Sequence, residues 1–291
     1  MPILLDMSLV DDLRRLVPLE RFRNPPPQVA VLRLDGLIGM RGPRGLSLRR
    51  FAAAIERAFS VRNLKAVALA VNSPGGSPAQ SSLLFRRIRQ LAEEKDVPVV
   101  AFAEDVAASG GYWLVLAADE IFAEETSLLG SIGVITASFG FAEALRKLGV
   151  QRRLYTAGEN KSLLDPFLTE DPKGVERLVT LQRDMHESFK DMVRSRRGAK
   201  LKGEESVLFS GEVFTGRRAL ELGLIDGIGD LRGVMRQRFG ESVKLRPIEP
   251  ERRRWSLLSR FGVPRRPDIA DTAADLLARL EERLIWARFG L

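Results

Sequence analysis

The chain has 291 residues, 45% of them hydrophobic, and carries 46 Lys and Arg against 38 Asp and Glu for a net charge of +8. That length and composition fit a globular chain of one large domain or two ordinary ones. With no cysteine and a single histidine, disulfides, thiolate nucleophiles, zinc fingers, iron–sulfur clusters and multi-histidine metal sites are excluded. Any Ser-His-Asp triad would depend on His186 alone.

Residues 1–28 read as an amphipathic N-terminal segment ending in a proline-rich linker. Leu9, Val10, Leu13, Leu16 and Val17 recur at helical spacing, and Pro25, Pro26 and Pro27 stiffen the connection to the first strand. Asp6, Asp11 and Asp12 do not suit a secretory signal. No uninterrupted apolar run approaches the ~20 residues of a membrane-spanning helix. The expectation is a cytoplasmic protein, at most peripheral to the inner membrane.

From residue 29 the pattern alternates. Short apolar, β-branched runs at 29–36, 66–71, 97–103 and 120–124 read as buried strands, with helices at 46–58 and 81–94 between them. Such alternation predicts an α/β fold built on parallel strands. Residues 171–198 form one long helix with Val175, Leu178, Leu181, Met185, Phe189 and Met192 on its apolar stripe. His186, beside Met185, reads as a partly buried packing residue. Residues 214–230 read as a helix, a tight glycine turn and a docking segment. After Gly240 the character changes. A basic stretch from Lys244 to Arg266, opposed only by Glu249 and Glu251, leads into a C-terminal amphipathic helix bearing Leu276, Leu280, Leu284 and Trp286. The expected division is therefore 1–28, a central domain at 29–240, and a basic and helical extension at 241–291.

Three segments could carry chemistry. Asn-Ser-Pro-Gly-Gly-Ser-Pro, at 72–78, lies between a strand and a helix, where a glycine pair frees backbone N–H groups to face an anion or oxyanion. An ordinary strand-to-helix turn is the plainer reading. Ala-Ser-Gly-Gly-Tyr-Trp, at 108–113, places Ser109 at a helix start. A serine there is either a cap or a nucleophile favoured by the helix dipole and by the adjoining Gly110 N–H. Gly-Glu-Asn-Lys-Ser-Leu-Leu-Asp-Pro-Phe, at 158–167, sets Lys161 among apolar residues. Most lysines are solvated charges, and an ordinary ammonium with pKa about 10.4 is neutral only about once in 2,500 at pH 7. A base role would require burial that lowers it to about 7–8.

Taken in order, these segments, together with Gly-Ser-Ile-Gly-Val-Ile at 130–135 and the stretch 210–230, resemble the signal peptide peptidase/protease IV family, whose serine proteases use a Ser-Lys dyad. The likeness runs from about residue 29 to residue 240. It implies a ClpP/crotonase-like fold of stacked ββα units with a long C-terminal helix and peripheral helical extensions. It implies Ser109 as nucleophile, Lys161 as general base, Gly76 and Gly110 as oxyanion donors, and Ser131 as the residue orienting the lysine. The implied activity is a serine endopeptidase acting on hydrophobic or unfolded peptides, cleaved signal peptides among them, through an acyl-enzyme. No metal, nucleotide or other cofactor is implied. Larger members carry two tandem copies, with the lysine in one and the serine in the other. A single-copy chain then implies a ring-like homo-oligomer whose dyad is shared between protomers.

Other readings use the same features. A crotonase-like acyl-CoA enzyme would share the glycine-rich oxyanion site, with carboxylates such as Glu104 and Asp105 as candidate acids, although these read better as loop charges. A non-catalytic membrane-associated scaffold could keep the fold without the chemistry. The basic surplus shows no nucleic-acid module. Beside an amphipathic helix it suits an anionic membrane surface or a solvated tail.

Overall fold

The computed structural model describes residues 25–40, 45–250 and 282–290. The amphipathic segment expected at the N-terminus and most of the basic stretch lie outside them. Of the C-terminal helix, residues 282–287 are helical.

The fold is α/β, as expected, and among the described residues eight strands form one mixed sheet. Strands β1 (Gln28–Asp35), β2 (Leu64–Ser73) and β3 (Val99–Ala108) run parallel. Helix α1 (Leu48–Ala58) joins the first pair and α2 (Pro78–Lys95) the second. These strands are covered on both faces, so they read as near-continuous apolar runs. Leu32, Leu34, Val67, Leu69, Val71, Val99 and Ala101 enter the main core beneath α1 and α2. The alternate residues Val29, Val31, Ala66, Ala68, Val100 and Phe102 form a second, smaller cluster. Met235 closes that cluster from α8 (Leu231–Phe239). On α1, Phe51, Ala54, Ile55 and Ala58 are the buried face, the spacing of a helical stripe. On α2, Ser77 caps the start, Pro78 occupies the first turn, and Asp96 ends the helix in the left-handed conformation.

β3 forks. Its first half, Val100–Ala103, pairs with β4 (Glu120–Ala123), and its second half, Val106–Ala108, pairs with β5 (Leu128–Gly130). Between the halves the register against β2 breaks, because Val71 pairs with Ala103 but Ser73 pairs with Ala107. Asn72 spans the break. Its amide donates to Asp105 Oδ2 at 3.0 Å, and its oxygen accepts the Val106 N–H at 3.1 Å. A bulge of this kind bends and re-aims its strand, here toward Ser109. Glu104 and Asp105 are therefore strand residues of the bulge rather than loop charges, and Glu104 pairs with Arg33.

Beyond the fork come α3 (Gly110–Val115), the short α4 (Ala142–Lys147) and the long α5 (Pro172–Arg197). After these, α6 (Glu205–Leu208), β6 (Val213–Thr215), α7 (Gly216–Glu221) and β7 (Gly227–Ile228) lead into α8. β6 pairs antiparallel with β5, and β7 pairs with β4. The sheet continues past Gly240. β8 (Lys244–Ile248) adds a parallel edge strand beside β1, with Arg246 Nε donating to Gln28 Oε1 at 2.7 Å. The proline run is tied down too, for Asn63 Nδ2 donates to both the Pro25 and Pro26 carbonyls.

The C-terminal end of α5 is locked to the core. Arg197, with a side chain 3% exposed, forms a two-pronged pair with Asp226 at 2.8 and 3.2 Å and donates through Nε to the Gly223 carbonyl. Lys200 and the Ile121 N–H also bond Asp226. Burial by itself would raise the Asp226 carboxyl, but the hydrogen bonds from Arg197, Lys200 and Ile121 outweigh it and hold the group below the usual carboxylate range. A carboxyl whose pKa is lowered on folding stabilises the native state fully above the unfolded value. That contribution is lost as pH falls through the native value. Asp226→Asn leaves the Arg197 guanidinium buried without its counter-charge, a loss of about 3 kcal/mol at pH 7. In urea titrations the gap between wild type and variant should shrink below about pH 4. A gap unchanged across that range would contradict the assignment.

Candidate active site

The site is built where β3 turns into α3. Ser109 sits at the turn with φ 52° and ψ −121°. A left-handed conformation in a non-glycine residue costs about 1–3 kcal/mol and persists only where its surroundings hold it. Three contacts hold this one. The Ser109 N–H donates to the Gly130 carbonyl at 2.8 Å, continuing the β3–β5 ladder, and the Ser109 carbonyl accepts the Trp113 N–H at 3.1 Å. From the other side Gly75 presses close. A Cβ there would lie 2.8 Å from Ser109 Cβ and 2.9 Å from Gly110 N. A strained strand-to-helix turn of this kind presents a serine hydroxyl at the start of a helix. Ser109 is half-buried, and its Oγ makes no hydrogen bond among the described residues.

Gly76 and Gly110 lie next to each other. A Cβ on Gly110 would come within 3.3 Å of the Gly76 nitrogen. Gly110 opens α3, so its N–H has no acceptor within the helix. Gly76 forms a parallel bridge with Ile38 that uses the Gly75 carbonyl and the Ser77 N–H. The Gly76 N–H is therefore left on the opposite side of the strand. Two unspent N–H groups beside a serine hydroxyl can polarise a carbonyl and receive the negative charge of a tetrahedral intermediate.

Several residues that hold this arrangement escaped the sequence reading. Ser73 is fully buried, donates through Oγ to the Gly36 carbonyl at 2.7 Å and accepts the Gly75 N–H at 3.2 Å. Its place in the Asn-Ser-Pro-Gly-Gly run was the available signal. Ile38 braces Gly76 through its backbone, and Ser81 Oγ fills the space beside Gly110. Neither carries a sequence signature, since both act by position alone.

Ser131 directly follows Gly130, with φ 49° and its N–H donating to the Glu212 carbonyl at 2.7 Å. Its hydroxyl has no hydrogen-bond partner among the described residues. Lys161 is exposed, on the segment between β5 and α5, and no hydrogen bond joins it to Ser109 or to Ser131. The structure thus brings together Ser109, Gly76, Gly110 and the backbone of Ser131, and leaves Lys161 at the surface of the chain.

Gly110→Ala tests the closeness of this packing. Its Cβ would stand 2.5 Å from Ser81 Oγ and 3.1 Å from Ile38 Cδ1. The expected loss is about 2 kcal/mol, the range for overpacking. Part of it should return in the Ser81→Ala background, because the two sites are in contact and their effects are not additive. Fully additive losses in denaturant melts would contradict the placement.

Residues 91–244 match the model of peptidase family S49. A protein from Brucella abortus named Na(+)/H(+) antiporter NhaA is 48% identical over 299 residues, which take in 99% of this chain and 40% of that protein. The chloroplastic serine protease SPPA of Arabidopsis thaliana is 36% identical over 70% of this chain and 31% of its own length. A putative signal peptide peptidase SppA from Enterococcus faecium is 30% identical over 69% of this chain and 60% of its own length. The chain thus spans less than two thirds of each of these relatives. Among the described residues no helix is long and apolar enough to cross a membrane. By the family match and these relatives, the chain belongs to peptidase family S49, the family of signal peptide peptidases and protease IV.

Proposed function

We propose that the chain is a serine endopeptidase that cleaves hydrophobic or unfolded peptides, cleaved signal peptides among them, through an acyl-enzyme on Ser109. The observation that carries this reading is the strained Ser109 turn with the Gly76 and Gly110 N–H groups beside it. In the proposed reaction Ser109 Oγ attacks the scissile carbonyl carbon as the Lys161 amine takes the hydroxyl proton. The carbonyl oxygen becomes an oxyanion held by the two glycine N–H groups. Collapse breaks the C–N bond, and the lysine returns its proton to the leaving amine. The freed amine of Lys161 then takes a proton from water, whose oxygen attacks the acyl carbon; collapse breaks the bond from that carbon to Oγ, and the lysine returns the proton to Ser109 as the acid product leaves. Ser131, beside Gly130, is the proposed hydrogen-bond partner that orients the lysine amine.

The placement of Lys161 bears on assembly. It belongs to a stretch, residues 134–171, that exposes Ile135, Phe139, Leu148 and Tyr155 at 67%, 80%, 75% and 90%. The first half of α5 also leaves part of its stripe in solvent, with Leu181 51% exposed. Large apolar side chains exposed in number along one stretch of chain are characteristic of an interface. We infer a ring-like homo-oligomer in which this stretch lies over a neighbour and carries Lys161 to the neighbour's Ser109.

Ser109→Ala and Lys161→Ala should each lower kcat for a fluorogenic hydrophobic peptide by about a thousandfold. Mixing the two inactive proteins under conditions of subunit exchange should restore roughly a quarter of the wild-type rate, since a head-to-tail ring then contains junctions with both groups intact. Wild-type activity in Ser109→Ala would contradict the mechanism. Complete exchange without any restored activity would contradict the shared site.

A further inference from the structure

The single histidine makes a specific main-chain contact. His186 lies on α5 with its Nε2 3.0 Å from the Ile132 carbonyl oxygen. A carbonyl oxygen only accepts, so Nε2 carries the hydrogen. Ile132 is fully buried, and a buried carbonyl left without a donor is costly. The carbonyl belongs to a strained turn. Gly130 has φ 91° and Ser131 φ 49°, and the Gly133 N–H closes back on the Ser131 carbonyl at 2.9 Å. The turn is held on one side by Glu212, whose carbonyl accepts the Ser131 N–H, and on the other by His186. Its first residue, Gly130, supplies the carbonyl that receives the Ser109 N–H. One helical turn further along α5, Phe189 stacks on Trp113 with ring centroids 4.8 Å apart. Near the end of the helix, Arg196 donates to the Leu116 and Ala118 carbonyls behind α3. α5 therefore reaches both sides of Ser109, and His186 is its only contact of the three with the Gly130 side.

We propose that His186 is a positioning residue for the Ser109 site: by holding the Ile132 carbonyl it fixes the 130–133 turn, and through the Gly130 carbonyl it fixes the backbone of the nucleophile. The proposal rests on Ser109 being that nucleophile, and extends the reading to a residue that touches neither substrate nor the reacting atoms. A packing role alone would tolerate an apolar side chain of similar size. A positioning role requires a donor of the same reach, which glutamine offers and leucine does not.

The test compares wild type, His186→Leu and His186→Gln in the full chain by amide hydrogen exchange and peptide hydrolysis. In His186→Leu the Ser109 and Gly133 amides should exchange about tenfold faster while the β1 and β2 amides stay protected. kcat should fall about tenfold with KM within about twofold. His186→Gln should restore both readouts. His186→Asn, polar but too short to reach Ile132, substitutes for the leucine variant if that one does not fold. Unchanged exchange in the donor-less variants, faster exchange without a fall in kcat, or no recovery with glutamine would each overturn the proposal. A wild type that cleaves nothing would remove Ser109's role as nucleophile and with it the site that His186 is proposed to position. Exchange would then report only whether His186 holds the turn.

Discussion

The structure turns on the break in β3. Without the extra residues around Glu104 and Asp105, β3 would continue straight beside β2, and its end would not meet β5. Asn72 makes the break stable by offering its amide oxygen to the Val106 N–H, which the displaced strand can no longer satisfy. The same break lets β3 pair with β4 through one half and with β5 through the other. Everything at the site depends on the second pairing. The Gly130 carbonyl becomes available to the Ser109 N–H, the chain turns through a left-handed residue, and α3 begins where the Gly75–Gly76 turn already lies against it. Asn72, Gly75 and Gly76 belong to one short run after β2, so a single segment both sets the bend and lines the site.

α5 converts this local geometry into a rigid one. Its contacts with Ile132, Trp113, Leu116 and Ala118 lie on one face within its second half, and the Arg197–Asp226 pair fixes that half against β4. The first half leaves Leu181 in solvent and follows directly in the chain on the segment that carries Lys161. One helix thus has a half packed behind the serine and a half that exposes Leu181. A chain with both kinds of face suits a site completed by assembly rather than within one copy.

Much of this was legible in the residues, for physical reasons that can be named. β1, β2 and the start of β3 are runs of Val, Leu and Ala because both of their faces are buried, and α1, α2 and α5 show helical periodicity because one face is. The end of β3 was missed because its bulge carries two carboxylates. Strands β5 to β7 are three residues or fewer, too short for any alternation to register. β8 was read as part of a basic tail because an edge strand exposes most of its side chains, Arg246 reaching Gln28 instead of water. At the site, the residues themselves offer Ser109 at a helix start and a glycine pair at a turn as candidates, and the family resemblance is what assigns Ser109, Gly76 and Gly110 their roles. Ile38, Ser73 and His186 make their contacts with main-chain partners distant in sequence, and periodicity carries no trace of those. Periodicity marks the apolar stripe of α5 but not how much of it is covered, and Leu181 on that stripe stands in solvent.

The central claim is that Ser109 is a nucleophile whose oxyanion is received by Gly76 and Gly110. Its most direct test is the crystal structure of the protein after reaction with a peptidyl phosphonate, which becomes bonded to an attacking hydroxyl and leaves a tetrahedral phosphorus in place of the carbonyl carbon. The expected result is a single adduct on Ser109, with the phosphonyl oxygen within hydrogen-bond distance of both the Gly76 and Gly110 nitrogens. An adduct on another residue, or one on Ser109 whose oxygen turns away from those two N–H groups, would contradict it.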